Sequence, residues 1–406
     1  MKEASETIPE DRVVVRQLTE KVLAQMEASL GSGFFGTDQE IRKGVKNMLD
    51  NGLDEINIGH LDEDERDELE EAVMAELLGF GPLEPLLGDE TLSDILINGP
   101  FDIWVDRNGR LEKTDVKFDD SEHLLHVLSR IVEEHGRHLE EASPYVDARL
   151  PDGSRLHAMI PPLSEIGPVA AIRMSRPTPL TLEDIIAGGS LDEQMGDLIS
   201  RAAKSGLNMV FSGGASTGKT TLLNIFSRFI PHHERIVTIE ETRELYPNHP
   251  HAVALETRLP NTEGKGEVGL RVLVRNALRM RADRIIVGEV RGDEVFDMLQ
   301  AMNVGHQGSM TTVHANNPKD ALLRLETLVL LAGFDVPSRA IREMLGSAFD
   351  LLIHAERFAD GSRRITSIQE VAVTEDGLVT RELFAYSPSG GFKKISEPEF
   401  LDRLEP

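Results

Sequence analysis

Cysteine is absent from this chain of 406 residues, and its absence excludes several kinds of site. Without a thiol the protein can form no disulfide, no thiolate zinc site and no covalent intermediate on cysteine. A chain without disulfides is compatible with a reducing compartment, so we expect a cytoplasmic protein.

Aromatic residues and positive charge are also scarce. Aromatic residues make up 5% of the chain, and 70 acidic residues outnumber the 43 lysines and arginines, which leaves a formal net charge of -27. Such a charge disfavours association with nucleic-acid phosphates, and single-strand binding also needs stacking aromatics. A nucleic-acid motor, meaning a helicase or translocase, is therefore kept only as the alternative function.

Long apolar runs are missing as well. No stretch of about 18 consecutive apolar residues occurs, so a transmembrane helix is not expected. Residues 1–6 include acids where a signal peptide carries basic residues before an apolar segment. We expect any contact with a membrane to be peripheral.

Changes in periodicity divide the chain into four parts. Residues 1–80 are acidic with short helical stripes, which predicts a helical bundle that is partly mobile. Residues 81–176 show period-two segments around a helical one, which predicts a smaller α+β domain. Residues 177–182 contain two prolines and are interpreted as a stiff linker. Residues 183–406 alternate strand and helix patterns, which predicts a doubly wound, mostly parallel sheet.

A glycine-rich segment carries the clearest chemical signal. The pattern G-x-x-x-x-G-K-[ST] is matched by Gly213, Gly214, Ala215, Ser216, Thr217, Gly218, Lys219 and Thr220. An apolar strand precedes it and a helical run begins at Thr221, which is the context of a P-loop. Its amides and helix N-terminus would hold the phosphates of ATP, Lys219 would add a positive charge, and the Thr220 hydroxyl would bind Mg²⁺.

Carboxylates follow two further predicted strands. Glu289 ends the apolar segment 285–289, where a P-loop protein needs an acid that binds Mg²⁺ or its waters. An ion pair between Glu289 and Arg291 would be the purely structural reading. Glu240 and Glu241 end the segment 235–239, and one of them could orient the attacking water, with Glu241 favoured. The pair could instead cap the following turn.

Two histidines, His306 and His314, bracket a β-rich segment. Their spacing, without a third ligand nearby, argues against a zinc site. A sensor of the γ-phosphate is a better interpretation than a metal site, because imidazole can donate a hydrogen bond to phosphate. Spacing alone supports structural histidines equally well.

Arginines concentrate in two stretches of this acidic chain. They are Arg258, Arg271, Arg275, Arg279 and Arg281 in the later part, and Arg149, Arg155, Arg173 and Arg176 in the earlier part. Guanidinium groups stabilise charge on a transferred phosphoryl group, although surface ion pairing would explain many of them.

Several of these motifs, in this order, resemble the type II/type IV secretion ATPase superfamily. The segments that carry the resemblance are 213–221, 238–242, 259–266, 286–291 and 305–316. The likeness covers about residues 80 to 375 and is greatest to the CpaF-type branch, the assembly ATPases of tight-adherence (Flp) pili. The segment 79–86 supports that branch too.

This resemblance implies a fold, an assembly and a set of roles. The fold would be a RecA-like P-loop ATPase domain preceded by a PAS-like α+β domain, and the assembly a cytoplasmic homo-hexamer at the inner membrane. The partner would be a platform protein of a pilus or secretion machine. Site roles implied by the resemblance fall on Glu240, Glu241, Glu289, His306, His314, Arg258, Arg271 and Arg279. Arg155 or Arg173 would reach the nucleotide from the N-terminal domain.

Overall fold

A computed structural model describes much of the chain. The described residues are 14–22, 43, 46, 63–107, 109–133, 137–175, 180–258, 265–374 and 377–404. Contacts divide the chain into two units, Met1–Pro177 and Thr178–Pro406. Most of the predicted N-terminal bundle lies outside the described residues, as do Asn108, Arg176 and much of the predicted linker.

The first unit combines helices with one antiparallel sheet. Its helices are α1 (residues 14–22), α2 (Glu63–Leu78), α3 (Glu84–Leu87) and α4 (Ser121–Glu133), with a 3-10 turn at Gly81–Leu83. Its strands are β1 (Leu92–Ile97), β2 (Ile103–Arg107), β3 (Arg110–Lys113), β4 (Tyr145–Arg149), β5 (Arg155–Met159) and β6 (Val169–Arg173). They form a sheet in the order β3-β2-β1-β6-β5-β4.

In the sheet of this unit, alternate side chains along the strands are buried in the core. Ile95 and Ile97 of β1 and Ile103 and Val105 of β2 are buried, as their alternation predicts. Leu124, Leu128 and Ile131 of α4 share one stripe and belong to the same hydrophobic core. A second, smaller core joins α1 to α2 through Leu18, Val22, Val73 and Met74.

The second unit is built on a larger sheet. Its helices are α5 (Leu182–Ala187), α6 (Glu193–Lys204), α7 (Lys219–Ser227), α8 (Leu270–Ala277), α9 (Glu294–Asn303), α10 (Pro318–Leu331) and α11 (Ser338–Ala348), with a 3-10 segment at Glu399–Arg403. Its strands are β7 (Met209–Gly213), β8 (Ile236–Glu240), β9 (Ala252–Glu256), β10 (Arg284–Val287), β11 (Met310–His314), β12 (Leu351–Arg357), β13 (Arg363–Thr374), β14 (Gly377–Ser387) and β15 (Gly391–Lys394). The strand order is β15-β14-β13-β12-β7-β11-β10-β8-β9.

Six neighbouring strands of this sheet, from β12 to β9, pair in parallel. Hydrophobic cores lie on both of its faces, which explains why β7, β8 and β10 are buried along their whole length. The fold class predicted from the sequence is therefore confirmed. An antiparallel extension, β13 to β15, was not predicted.

The parallel register determines where functional side chains meet. His314 at the end of β11 and Ala355 of β12 both lie opposite Gly213 at the end of β7. Carboxyl ends of parallel strands share one edge of a sheet, which is where open α/β folds bind ligands. Among the described residues, no helix combines the length and apolarity needed to cross a bilayer.

Candidate nucleotide-binding site

The P-loop lies between β7 and α7, as predicted from its sequence. Gly218 is the N-cap of α7 and has a φ of 90°, a conformation that glycine adopts without strain. A Cβ added to Gly213 would lie 2.4 Å from the Ala355 carbonyl oxygen and 2.6 Å from Thr217 Oγ1. The strand pairing of β7 with β12 therefore requires glycine at the start of the loop.

Lys219 is buried inside this loop. Its side-chain Nζ donates hydrogen bonds to the carbonyl oxygens of Gly213 (3.2 Å) and Gly214 (2.7 Å). Burial lowers the pKa of Lys219 to about 8, although the nearby Glu289 carboxylate acts in the opposite direction. Thr220 and Thr221 follow it in the first turn of α7, where both are half-buried.

An arginine joins two of the predicted carboxylates at the same edge. Arg291 donates to Glu289 Oε2 over 2.6 Å and to Glu241 Oε2 over 3.2 Å. The pairing of Glu289 with Arg291 that the sequence left open is therefore present. It brings Glu241 and Glu289 together around one guanidinium group.

The second oxygen of Glu289 has a different environment. Its Oε1 is buried and makes no hydrogen bond within the described part of the chain, although His314 Nδ1 lies 3.2 Å away. Burial, and then the charge of Lys219, lower the pKa of His314, which favours the neutral imidazole. An unsatisfied carboxylate oxygen beside a P-loop fits a Mg²⁺ ion or one of its waters.

Glu240 has a structural environment instead. Its side chain is buried, and its carboxylate accepts hydrogen bonds from the amides of Glu244 (2.8 Å) and Leu245 (3.1 Å). Glu240 thus caps the turn after β8, which was the alternative considered for the pair. Glu241 is exposed on the rim.

The two predicted histidines lie at opposite edges of the sheet. His314 ends β11, whereas His306 precedes this strand and therefore lies at the amino-terminal edge, away from the P-loop. The backbone oxygen of His306 accepts a hydrogen bond from Ser309 Oγ over 2.8 Å. Of these two described histidines, His314 is the one that lies at the P-loop edge of the sheet, opposite Gly213.

The later arginines also differ in their surroundings. Arg271 donates from Nε to Asp297 (2.6 Å) and from Nη1 to Asp293 (2.9 Å), which ties it to α9. These carboxylates raise the pKa of Arg271. Arg258 and Arg279 are exposed. The segment 259–264, which carried part of the resemblance, lies outside the described residues.

Three arginines of the first unit form one row across the sheet. Arg149 lies opposite Arg155, and Arg155 lies opposite Arg173. Directly paired residues of neighbouring strands project from the same face, so three cations share that face. Asp94 on β1 partly offsets them, because its Oδ1 lies 3.2 Å from Arg173 Nε.

Two further residues at the P-loop lie outside the sequence motifs. Arg363 Nε donates a hydrogen bond to the Ser216 carbonyl oxygen over 2.9 Å, and His354 Nδ1 lies 2.8 Å from Ser212 Oγ. His354 interrupts the apolar run of β12, and a histidine inside such a run is a sequence signal that could have identified it. No local pattern marks Arg363, because its partner is distant in sequence.

Known proteins are similar to most of this chain. The model of a family described as type II/IV secretion system protein matches residues 76–375. A putative conjugal transfer protein of Mycobacterium tuberculosis is 40% identical over 302 residues, which cover 73% of this chain and 85% of that protein. VirB11, a type IV secretion system protein of Brucella suis, is 30% identical over 311 residues, covering 70% and 86% of the two chains.

Solved structures share the fold at lower identity. The ATPase DotB of Legionella pneumophila has a TM-score of 0.50 at 19% identity, over 72% of this chain and 80% of that one. The pilus retraction motor PilT with bound ADP has a TM-score of 0.50 at 18% identity, over 79% and 82%. Similarity at these identities establishes the common fold.

Proposed function

Since this chain belongs to the type II/IV secretion system protein family, we propose that it hydrolyses Mg-ATP to drive a secretion or pilus machine. The observation that carries the proposal is the meeting of Lys219, Glu289 and His314 at one edge of the parallel sheet. A buried lysine on a P-loop and a carboxylate oxygen that lacks a hydrogen bond supply what phosphate and metal binding require.

Each group at this edge has a role in the proposal. The P-loop amides and Lys219 would bind the phosphates, and Thr220 and Glu289 would hold Mg²⁺ or its waters. Bound Mg²⁺ would offset negative charge on the phosphates during transfer. Glu241, which is exposed beside Glu289, orients the attacking water, and neutral His314 donates a hydrogen bond to the γ-phosphate. Glu240 contributes by holding the turn that places Glu241.

Arg291 regulates access to the two carboxylates in this proposal. It pairs with both Glu241 and Glu289, so their charges are neutralised while it stays in place. Bound Mg-ATP would supply a competing cation for Glu289 and a polyanion for Arg291. The arginine would then turn toward phosphate, which would break its ion pair with Glu241 and leave that carboxylate able to orient water.

The cellular role that we propose is assembly of a tight-adherence type pilus. The motor is a homo-hexamer in the cytoplasm that acts on an inner-membrane platform protein and contacts the membrane peripherally. In this ring Arg258, Arg279 and one of Arg155 and Arg173 approach a nucleotide of a neighbouring copy. The sequence resemblance supports this arrangement, and so does the exposure of Arg258 and Arg279. The division at residues 80, 176 and 182 also stays a prediction.

Hydrolysis measurements on matched variants test the enzymatic proposal. We expect Lys219→Ala and Glu289→Gln to lower the rate of ATP hydrolysis at least about 100-fold, because each removes a group that contacts phosphate or metal. Glu343→Gln is the control, since Glu343 pairs only with Arg339 on the surface of α11 in the described structure. Its rate should equal that of the wild type.

Adding single-stranded DNA to the hydrolysis assay distinguishes the proposed secretion or pilus motor from a nucleic-acid motor. The net charge of -27 disfavours a nucleic-acid track, so adding DNA should leave hydrolysis unchanged. Undiminished hydrolysis in both site variants would refute the site assignment. Strong stimulation by DNA would favour a helicase or translocase.

A further inference from the structure

The hairpin between β12 and β13 reaches the tip of the P-loop. Arg363 begins β13, and its Nε donates to the Ser216 carbonyl oxygen over 2.9 Å. Its Cδ lies 3.6 Å from the position that a Cβ on Gly218 would occupy. The arginine side chain thus lies along the loop between Ser216, which it contacts, and Gly218.

Ser216 has a backbone conformation that needs such support. Its φ is 57°, in the left-handed region that is unfavourable for a residue with a Cβ. A residue stays in this region only when its surroundings restrain it. The hydrogen bond from Arg363 restrains the peptide that follows Ser216, and that peptide leads to the amides that would face the phosphates in the proposed complex.

The hairpin that carries Arg363 is itself restrained. Asp360 Oδ1 accepts hydrogen bonds from the amide and the hydroxyl of Ser362 over 2.9 and 2.6 Å, which closes the turn. At its other end β12 pairs with β7, where His354 lies 2.8 Å from Ser212. Arg363 therefore projects from a fixed frame onto the loop.

We propose that Arg363 is a positioning residue that holds the P-loop in its phosphate-binding shape before the nucleotide binds. The inference rests on the nucleotide binding proposed above and adds a residue outside the P-loop motif. A preorganised loop loses less conformational entropy when phosphate binds, which raises affinity for ATP and ADP alike. An arginine that stabilised the transferred phosphoryl group would act on the rate of hydrolysis instead.

Binding and turnover distinguish these two roles. Arg363→Gln should weaken ADP binding about tenfold, as loss of one charge-assisted hydrogen bond predicts, and change kcat less than about threefold. Arg363→Lys keeps the charge and a donor and should recover part of the affinity. The matched control is Arg364→Gln, because Arg364 faces the rings of Phe358 and Tyr386. Its ADP affinity should stay within about twofold of wild type.

Amide hydrogen exchange tests the loop without any nucleotide. In the nucleotide-free full chain, exchange of residues 213–218 should be about tenfold faster in Arg363→Gln than in wild type. Glycine adopts the conformation of Ser216 without strain, so the effect of Arg363→Gln on exchange should shrink in a Ser216→Gly background. Unchanged exchange in Arg363→Gln would overturn the proposal, as would a loss of kcat with normal ADP affinity.

The outcomes separate this inference from the proposed function. A wild-type protein that binds ADP but does not hydrolyse ATP would refute the motor, while the exchange experiment would still test Arg363. Normal hydrolysis in wild type with unchanged loop exchange in Arg363→Gln would refute the positioning role alone. Circular dichroism of each variant checks that the fold is retained.

Discussion

Lys219 combines burial with a charge that the proposed function needs. The lysine donates to carbonyl oxygens of its own loop, and burial lowers its pKa to about 8. A phosphate ligand would replace these carbonyl partners and stabilise the ammonium form. The same side chain lowers the pKa of His314, so the two residues are linked electrostatically.

The pKa of Lys219 makes nucleotide affinity depend on pH. With a pKa of about 8 the lysine is mostly charged at pH 7 and mostly neutral at pH 9. Phosphate binds the charged form, so the affinity for ADP should fall about tenfold between these pH values. Isothermal titration calorimetry at both pH values measures this change in ADP affinity. The weak residual binding of Lys219→Ala should lack this step, and a flat profile in wild type would contradict the prediction.

Gly213 and Gly214 form a matched pair for a stability test. Alanine at Gly213 would place its Cβ 2.4 Å from a backbone oxygen of β12, whereas at Gly214 the nearest atom is 3.8 Å away. We expect Gly213→Ala to lower the Tm by about 3–10 °C through overpacking, and Gly214→Ala by less than about 2 °C. Thermal unfolding followed by circular dichroism would show the difference. Equal Tm values would mean that the strand pairing relaxes freely.

At the scale of elements, the end of α2 is fastened to α4. Arg130 of α4 donates to the carbonyl oxygens of Glu76 (2.6 Å) and Gly79, which satisfies acceptors at a helix C-terminus. His123 of α4 approaches the Glu76 side chain, with 2.8 Å between Nε2 and Oε2. The family match begins at this helix end, so the contact joins the matched region to the helices before it.

Removal of the Arg130 side chain should loosen α2. Arg130→Ala leaves carbonyl oxygens without their donor, at a cost of about 1.5–3 kcal/mol in local stability. Exchange of the α2 amides, measured by mass spectrometry, should then be at least about tenfold faster. Arg339→Ala is the control, because its pair with Glu343 is exposed on one helix. Unchanged exchange in α2 would show that the Arg130 hydrogen bonds are not what holds this helix.

At the scale of the whole molecule, the net charge of -27 opposes association between copies. Like charges repel when copies of this chain approach, and salt screens that repulsion over about 10 Å at 0.1 M. The proposed hexamer should therefore form more readily as ionic strength rises from about 20 to about 200 mM. Sedimentation velocity of Glu289→Gln with ATP would measure it. Weaker assembly at higher salt would show that ion pairs between copies dominate.

The sequence by itself determined the P-loop, the parallel sheet and the family. A contiguous motif between a strand and a helix acts through neighbouring backbone groups, so residues 213–220 are sufficient to recognise it. Buried parallel strands are recognisable as continuous apolar runs for a similar reason. The order of the motifs along the chain then distinguished this family from other P-loop proteins.

Tertiary structure decided the contacts between distant segments. Strand register placed His314 at the P-loop, and His306 lies at the opposite edge of the sheet. The sequence alone predicted the same role for both histidines. Burial assigned Glu240 to a turn and left Glu241 on the rim. Arg363 contacts Ser216 across 147 positions because β12 pairs with β7. Such contacts depend on the packing of whole elements, which no local pattern of residues encodes.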